Sequence, residues 1–173
     1  MNIFLTGYRC TGKTSVGKKI AGKSKLDFID ADSLFVKETG MTISSFVAKE
    51  GWESFREKES LIIKKLCAFD RHVIATGGGV ILDRNNVKHM KNSGMTVWLK
   101  AKPETIKKRI AEDENTEDQR PSLTSRGLIE EIEDTLLFRN PLYEEAMDFS
   151  VDTDDLKIDE ICDIIINRIK MEK

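Results

Sequence analysis

The stretch NIFLTGYRCTGKTS, residues 2–15, constrains the fold more than any other part of the chain. A short apolar run, Asn2–Thr6, leads into a loop with glycines at 7 and 12. Lys13, Thr14 and a helical pattern follow at once. Gly7, Gly12, Lys13 and Thr14 fit G-x-x-x-x-G-K-[ST], which has physical meaning only between a strand and the start of a helix. In that setting Gly12 lets the loop turn its backbone N–H groups inward as an anion nest, at the positive end of the helix. Lys13 then reaches the β- and γ-phosphates, and the Thr14 hydroxyl ligates Mg²⁺. Cys10, Thr11, Gly12, Lys13, Thr14 and Ser15 are the candidate nucleotide-binding residues here. Cys10 reads either as a small filling residue or as a thiol beside N–H dipoles. Arg9 faces either phosphate or solvent. The motif names a nucleoside triphosphate and leaves the phosphoryl acceptor open.

The rest of the chain repeats the strand–helix alternation. Phe28–Asp30, His72–Thr76, Thr96–Lys100 and Phe149–Asp152 read as further strands, most of the strands being too apolar throughout for a wet face, and so as a mainly parallel sheet. Helical patterns cover Ser15–Ser24, Ser33–Thr39, Ser44–Ala68 with an interruption near Gly51, Asn85–Ser93, Glu104–Asp113, Leu128–Ala146 and Ile158–Met171. In the last, Ile158, Ile161, Ile165 and Ile169 form one stripe. The expectation is a three-layer α/β/α domain occupying residues 1–173. One polar excursion, Ala111–Gly127, reads as a mobile lid within it.

Composition narrows the setting. A net charge of −2 gives no global attraction for nucleic acid or an anionic membrane, so any anion site must be built locally. No apolar run approaches the ~20 residues that span a bilayer. The N-terminus shows no secretory signal, and three widely spaced cysteines (Cys10, Cys67, Cys162) suit a reducing cytoplasm. A monomer is expected, because no surface helix shows an extra apolar stripe. Trp52 and Trp98 read as packing residues.

The acceptor must be sought elsewhere in the chain. FIDADSLF sets Asp30 and Asp32 two apart, and on an extended chain both carboxylates point to one side, toward the ligand edge of an α/β sheet. Asp32 alternatively caps the helix that starts at Ser33. Arg56, beside Phe55, offers a fork for a carboxylate or phosphate over an aromatic floor, or else pairs with Glu53, Glu59 or Ser60 on a solvated helix. Gly77, Gly78 and Gly79 follow the third strand without the G-x-G-x-x-G spacing of a dinucleotide site, and they exclude side chains over a short length of backbone.

Taken in order, GYRCTGKT, DAD, FRE, TGGG, QRPSL and RNPLY resemble the shikimate kinases, at matching spacings from Ile3 to about Thr153. The resemblance implies a P-loop fold like that of nucleoside monophosphate kinases, with strand order 2-3-1-4-5. It implies Mg²⁺-dependent transfer of the ATP γ-phosphoryl group to the 3-hydroxyl of shikimate, on the route to chorismate. By position, Asp32 matches the aspartate that binds the acceptor's hydroxyls and acts as candidate base, and Asp30 the one near Mg²⁺. Arg56 and Arg139 match two arginines that hold the acceptor's carboxylate, with the acceptor region spanning about 31–60. Gly78 matches a glycine whose backbone contacts shikimate, so a Cβ there would occupy acceptor space. Arg120 matches a lid arginine that reaches the phosphates, which makes Lys13, Asp32 and Arg120 the expected catalytic set. Arg109 resembles a residue that stacks on adenine. Val47 stands where some members carry a second phenylalanine beside the acceptor, and Pro141 is expected to disturb the helix around Arg139. A gluconate-type or nucleoside monophosphate kinase, and a regulatory module that binds ATP without transfer, are the rival readings.

Overall fold

The computed structural model describes residues 1–112 and 128–171. The expected lid lies outside them beyond Glu112, and Arg120 with it. Five strands, β1 (Asn2–Thr6), β2 (Asp27–Asp30), β3 (His72–Ala75), β4 (Gly94–Lys100) and β5 (Phe149–Asp152), form one parallel sheet in the order β2-β3-β1-β4-β5. Between them run α1 (Lys13–Ser24), α2 (Ala31–Thr39), α3 (Ile43–Leu66), α4 (Arg84–Ser93), α5 (Pro103–Glu112) and α6 (Leu128–Ala146), and α7 (Ile158–Met171) closes the chain.

Alternation along the central strands explains the layers. Ile3 and Leu5 of β1 pack with Val16 and Ile20 of α1 and with Ile161, Ile165 and Ile169 of α7. Phe4, between them, points the other way, into a cluster with Ile62 and Ile63 of α3, Met90 of α4 and Tyr143 of α6. Both faces of β1 are therefore dry, so its residues are apolar at successive positions rather than at every second one. Ile158 departs from the stripe expected of it and is 43% exposed. It opens α7, where the helix has not yet reached the sheet.

Two local features aim the site. Gly51, at φ 83° and ψ 167°, breaks helical geometry inside α3, so the stretch bearing Trp52, Phe55 and Arg56 takes a new direction there. Pro141, by contrast, leaves α6 unbroken from Leu128 to Ala146, against expectation. Proline removes the N–H that the Leu137 carbonyl would have accepted from, and Leu137 is 79% exposed.

Candidate active site

The phosphate loop leaves the central strand and enters α1 two residues earlier than the periodicity suggests, so Lys13 and Thr14 lie in the helix's first turn. Gly12 takes φ 93°, which only glycine adopts without strain, and Cys10 sits at φ 59°. The buried Lys13 Nζ donates to the Gly7 and Tyr8 carbonyls at 2.9 and 2.7 Å. The Thr11 hydroxyl donates to the Tyr8 carbonyl at 2.9 Å. Together these hold the loop in its curved form. Neighbouring β3 is pinned to the same place: the backbone N–H and hydroxyl of Thr76 both donate to the Leu5 carbonyl, at 3.1 and 3.0 Å. The glycine run therefore starts against the last turn of chain before the phosphate loop.

The aspartate pair is arranged differently from the sequence reading. Strand β2 ends at Asp30 and α2 begins at Ala31, so alternation along a strand does not relate the two carboxylates. Asp30, not Asp32, caps the helix, accepting from the Ser33 N–H at 3.1 Å. Its other oxygen accepts from the Thr14 hydroxyl at 2.6 Å. Asp32 occupies the first turn of α2 and lines a cavity on the far side of the loop. The two carboxylates thus have different surroundings, Asp30 at the Thr14 hydroxyl and Asp32 at the cavity.

That cavity holds about 520 Å³ of open space, mouth included. Asp32, Phe55, Arg56, Gly77, Gly78, Gly79 and Arg139, drawn from α2, α3, the turn after β3 and α6, all line it. Tyr8 and Arg9 close it on the phosphate-loop side. Its apolar wall is Ile43, Trp52 and Phe55. Val47 does not line the cavity; it packs against the cluster containing Phe35 and Phe55. Trp52 is only half-buried at 37% exposure. Its ring and that of Phe55 lie under the Arg56 guanidinium, with centroids 5.5 and 5.0 Å from Cζ, close enough for cation–π attraction.

The guanidinium of Arg56 donates to Glu59 Oε2 at 2.5 Å. Glu59 is buried, and burial raises its carboxyl above the usual carboxylate range, an effect that the Arg56 charge opposes. Its second oxygen accepts no hydrogen bond among the described residues. Opposite, Arg139 is buried and donates to the Gly78 carbonyl at 3.2 Å. The Tyr143 hydroxyl donates to the same oxygen at 2.5 Å, and burial pushes its pKa up to about 12, so it stays a donor. Tyr143 stacks on Trp98 of β4, with centroids 5.4 Å apart. Arg139 and Tyr143, four residues apart on one helix face, thus tie α6 to the glycine run.

The three glycines have a reason other than direct room for a ligand. A Cβ at Gly77 would lie 2.5 Å from Glu59 Oε1 and 3.1 Å from Asp32 Oδ1. At Gly79 it would lie 2.5 Å from the Arg56 guanidinium carbon. At Gly78 it would meet the Gly7 carbonyl at 3.2 Å and the Arg9 nitrogen at 3.7 Å. None of the three takes a left-handed φ. Each glycine makes room for one part of the site: the acids, the phosphate loop, the arginine. A Cβ at Gly78 would crowd the loop, at a position that also lines the cavity.

On the outer side of the loop, the Arg109 guanidinium donates to the Cys10 carbonyl at 3.3 Å and to the Thr153 hydroxyl and carbonyl at 3.0 and 2.5 Å. It links α5 to the loop and to the chain leaving β5. Ser15 is exposed in the first turn of α1. The sequence reading missed Ile43, Trp52, Glu59 and Tyr143 as site residues, and left Arg9 undecided. Spacing held a usable signal for Tyr143 and Glu59, four and three residues beyond the paired arginines.

A parallel sheet with a phosphate loop after its central strand, and a charged cavity across that loop, define a P-loop phosphotransferase with a small acidic acceptor. Comparison with known proteins gives the particular family. The family model for shikimate kinase matches residues 9–170. Shikimate kinases of Syntrophus aciditrophicus and Thermodesulfovibrio yellowstonii are 39% and 42% identical to the chain, over 99% and 95% of it and 92% of each relative. A solved structure of shikimate kinase from Acinetobacter baumannii in complex with shikimate superposes with TM-score 0.92 at 30% identity, covering 99% of this chain and 94% of that one. The chain belongs to the shikimate kinase family, kinases that transfer phosphate from ATP to shikimate.

Proposed function

We propose that this chain phosphorylates the 3-hydroxyl of shikimate with the γ-phosphoryl group of ATP, with the described cavity as the acceptor site. The observation that carries the assignment is the convergence of Arg56 and Arg139 on one cavity that also holds Asp32 and abuts the phosphate loop at Gly78. Two guanidinium forks suit a carboxylate. The Phe55 and Trp52 rings suit the face of a small carbocycle, and the Asp32 carboxylate suits its hydroxyls.

In-line phosphoryl transfer needs alignment and fixed positive charge more than covalent help. Lys13 and the inward N–H groups hold the transferring phosphates. Asp32 orients the attacking hydroxyl and accepts its proton as the new P–O bond forms and the bond from the γ-phosphorus to the bridging oxygen breaks, leaving ADP. Arg120, outside the described residues, is proposed to reach the ATP phosphates on the strength of the QRPSL resemblance alone. Arg109 is proposed to face the adenine, beside Thr153.

Among the described residues no cluster of three acidic, cysteine or histidine side chains offers a metal a complete protein site. The Thr14 hydroxyl and Asp30 carboxylate, 2.6 Å apart at the exposed mouth of the loop, instead fit a hard cation held mostly by water and phosphate. Thr14 would bind Mg²⁺ directly and Asp30 through water; the ion supplies charge neutralisation on the phosphates. Among the described residues no helix is long and apolar enough to cross a membrane, and a monomer acting on two small molecules is the form proposed.

An ADP-release assay over a panel of acceptors tests this reading. Shikimate is expected to stimulate ADP release far above the background ATPase, with gluconate and nucleoside monophosphates near background. Stimulation by one of those in place of shikimate, or by none, would overturn it.

A further inference from the structure

Arg9 stands in the phosphate loop but faces the acceptor cavity. Its side chain is 11% exposed, and one terminal nitrogen donates to Glu131 Oε1 at 2.8 Å. Glu131, 1% exposed, sits in the first turn of α6, the helix that carries Arg139 eight residues further on. The guanidinium carbon lies 5.6 Å from the centroid of the buried Tyr8 ring. The third feature is an omission: the Arg9 Nε–H is buried and donates to nothing among the described residues.

Buried donors in folded proteins almost always find an acceptor, and a guanidinium N–H left without one is penalised for the water it has lost. Burying an arginine and a glutamate together is also costly, and is best accounted for where the pair fixes a position. Here the position is the boundary between the two substrates. The Arg9 backbone nitrogen lies 3.7 Å from where a Cβ on Gly78 would stand, so the residue spans the wall between phosphate loop and acceptor cavity. Arg56 and Arg139 already serve the carboxylate, and Lys13 with the loop N–H groups serves the nucleotide's phosphates. An anionic oxygen arriving between the two sets has Arg9 as its donor.

We infer that Arg9 is a third substrate-contacting arginine of the cavity, which donates to the phosphoryl oxygens as the group passes to the acceptor, while Glu131 acts as its positioning residue. The inference rests on the acceptor-site reading above and adds a specificity to it: the cavity distinguishes the phosphorylated acid from the free one through Arg9. Charge and bonds balance as in the established transfer, since Arg9 neither gains nor loses a proton.

The test is a calorimetric titration of shikimate and of 3-phosphoshikimate into wild type, Arg9→Met and Arg9→Met/Glu131→Gln. The double variant leaves no buried carboxylate without its partner, so it keeps the comparison open if the single variant fails to fold. Both variants are expected to bind the phosphorylated acid about tenfold or more weakly, as for a lost charge-assisted fork, with shikimate changed by less than about threefold. Equal weakening for both ligands would make Arg9–Glu131 a purely structural tie and overturn the inference, as would no change for either. Wild type that binds neither ligand would instead refute the acceptor-site reading on which it stands.

Discussion

The two halves of the site are built by different means. On the nucleotide side, backbone does the holding. Gly7, Tyr8 and Cys10 present their carbonyls to Lys13 and Arg109, and positive φ angles at Gly7, Cys10 and Gly12 set the curve. On the acceptor side, side chains from four elements converge, and each is held by another side chain or by a single carbonyl: Arg56 by Glu59, Arg139 by Gly78. A backbone site tolerates substitution around it, because its donors belong to every residue. A side-chain site depends on each neighbour that fixes a rotamer. The acceptor half should therefore be the more sensitive to remote changes.

The largest expected effect is on turnover, at the boundary of the two halves. Asp32→Asn should lower kcat by about 10²–10⁴-fold, the range for a lost general base, with ATP affinity near normal. Steady-state kinetics with both substrates varied would show it, and unchanged turnover would remove Asp32 from the mechanism. Next comes the carboxylate grip. Arg139→Ala should weaken shikimate binding by about 2–4 kcal/mol, as when a charged group loses its partner. Wild type and variant should then bind a carboxylate-free analogue equally, and a large difference between them would contradict the role.

A smaller effect separates the two building principles more sharply. Gly79→Ala adds one methyl group where the Arg56 guanidinium lies. It should raise the KM for shikimate by about 10- to 100-fold through misplacement of that fork, with the KM for ATP unchanged. Equal changes in both constants would mean that the glycine run supports the nucleotide half as well. Trp52→Ala, at the exposed rim, should cost only about 0.5–1 kcal/mol of acceptor affinity, the size of an exposed cation–π contact.

The pH dependence of stability probes the same side-chain scaffold. Burial raises the native Glu59 carboxyl above its unfolded value, so the native state holds this proton more tightly than the unfolded chain. Its contribution is present at low pH and is lost as pH climbs from the ordinary carboxylate range through the elevated native value. Thermal unfolding of Glu59→Gln against wild type should show that decline missing in the variant. An identical pH profile for both would place the titration elsewhere.

The same division decides how much could be read from the sequence. The phosphate loop is contiguous, so its strand–loop–helix form was legible from Gly7–Thr14 alone. Strands β1 and β5, and helices α6 and α7, run between the very residues expected, because β1, dry on both faces, leaves an apolar run, β5 alternates buried and more exposed residues, and helices leave a 3.6-residue period. The acceptor half was legible only through family resemblance, since Asp32, Arg56, Gly78 and Arg139 are far apart in the chain. Single-sequence logic failed there in identifiable ways. Alternation was applied to Asp30 and Asp32 across a strand end that falls between them. Glu59 was read only as an alternative partner of Arg56 on a solvated helix, and Glu131 was passed over, because nothing local says that a helical glutamate is buried. The packing need of the glycine run was also missed: at two of its three positions a side chain would strike Asp32, Glu59 or Arg56.

A crystal structure of the chain with Mg–ADP and shikimate would examine the acceptor half most directly. The shikimate carboxylate should lie between the guanidinium groups of Arg56 and Arg139, its ring against Phe55, and its 3-hydroxyl beside Asp32 on the side facing the phosphate loop. Density for shikimate outside that cavity, or inside it with the carboxylate turned toward the nucleotide, would contradict the account.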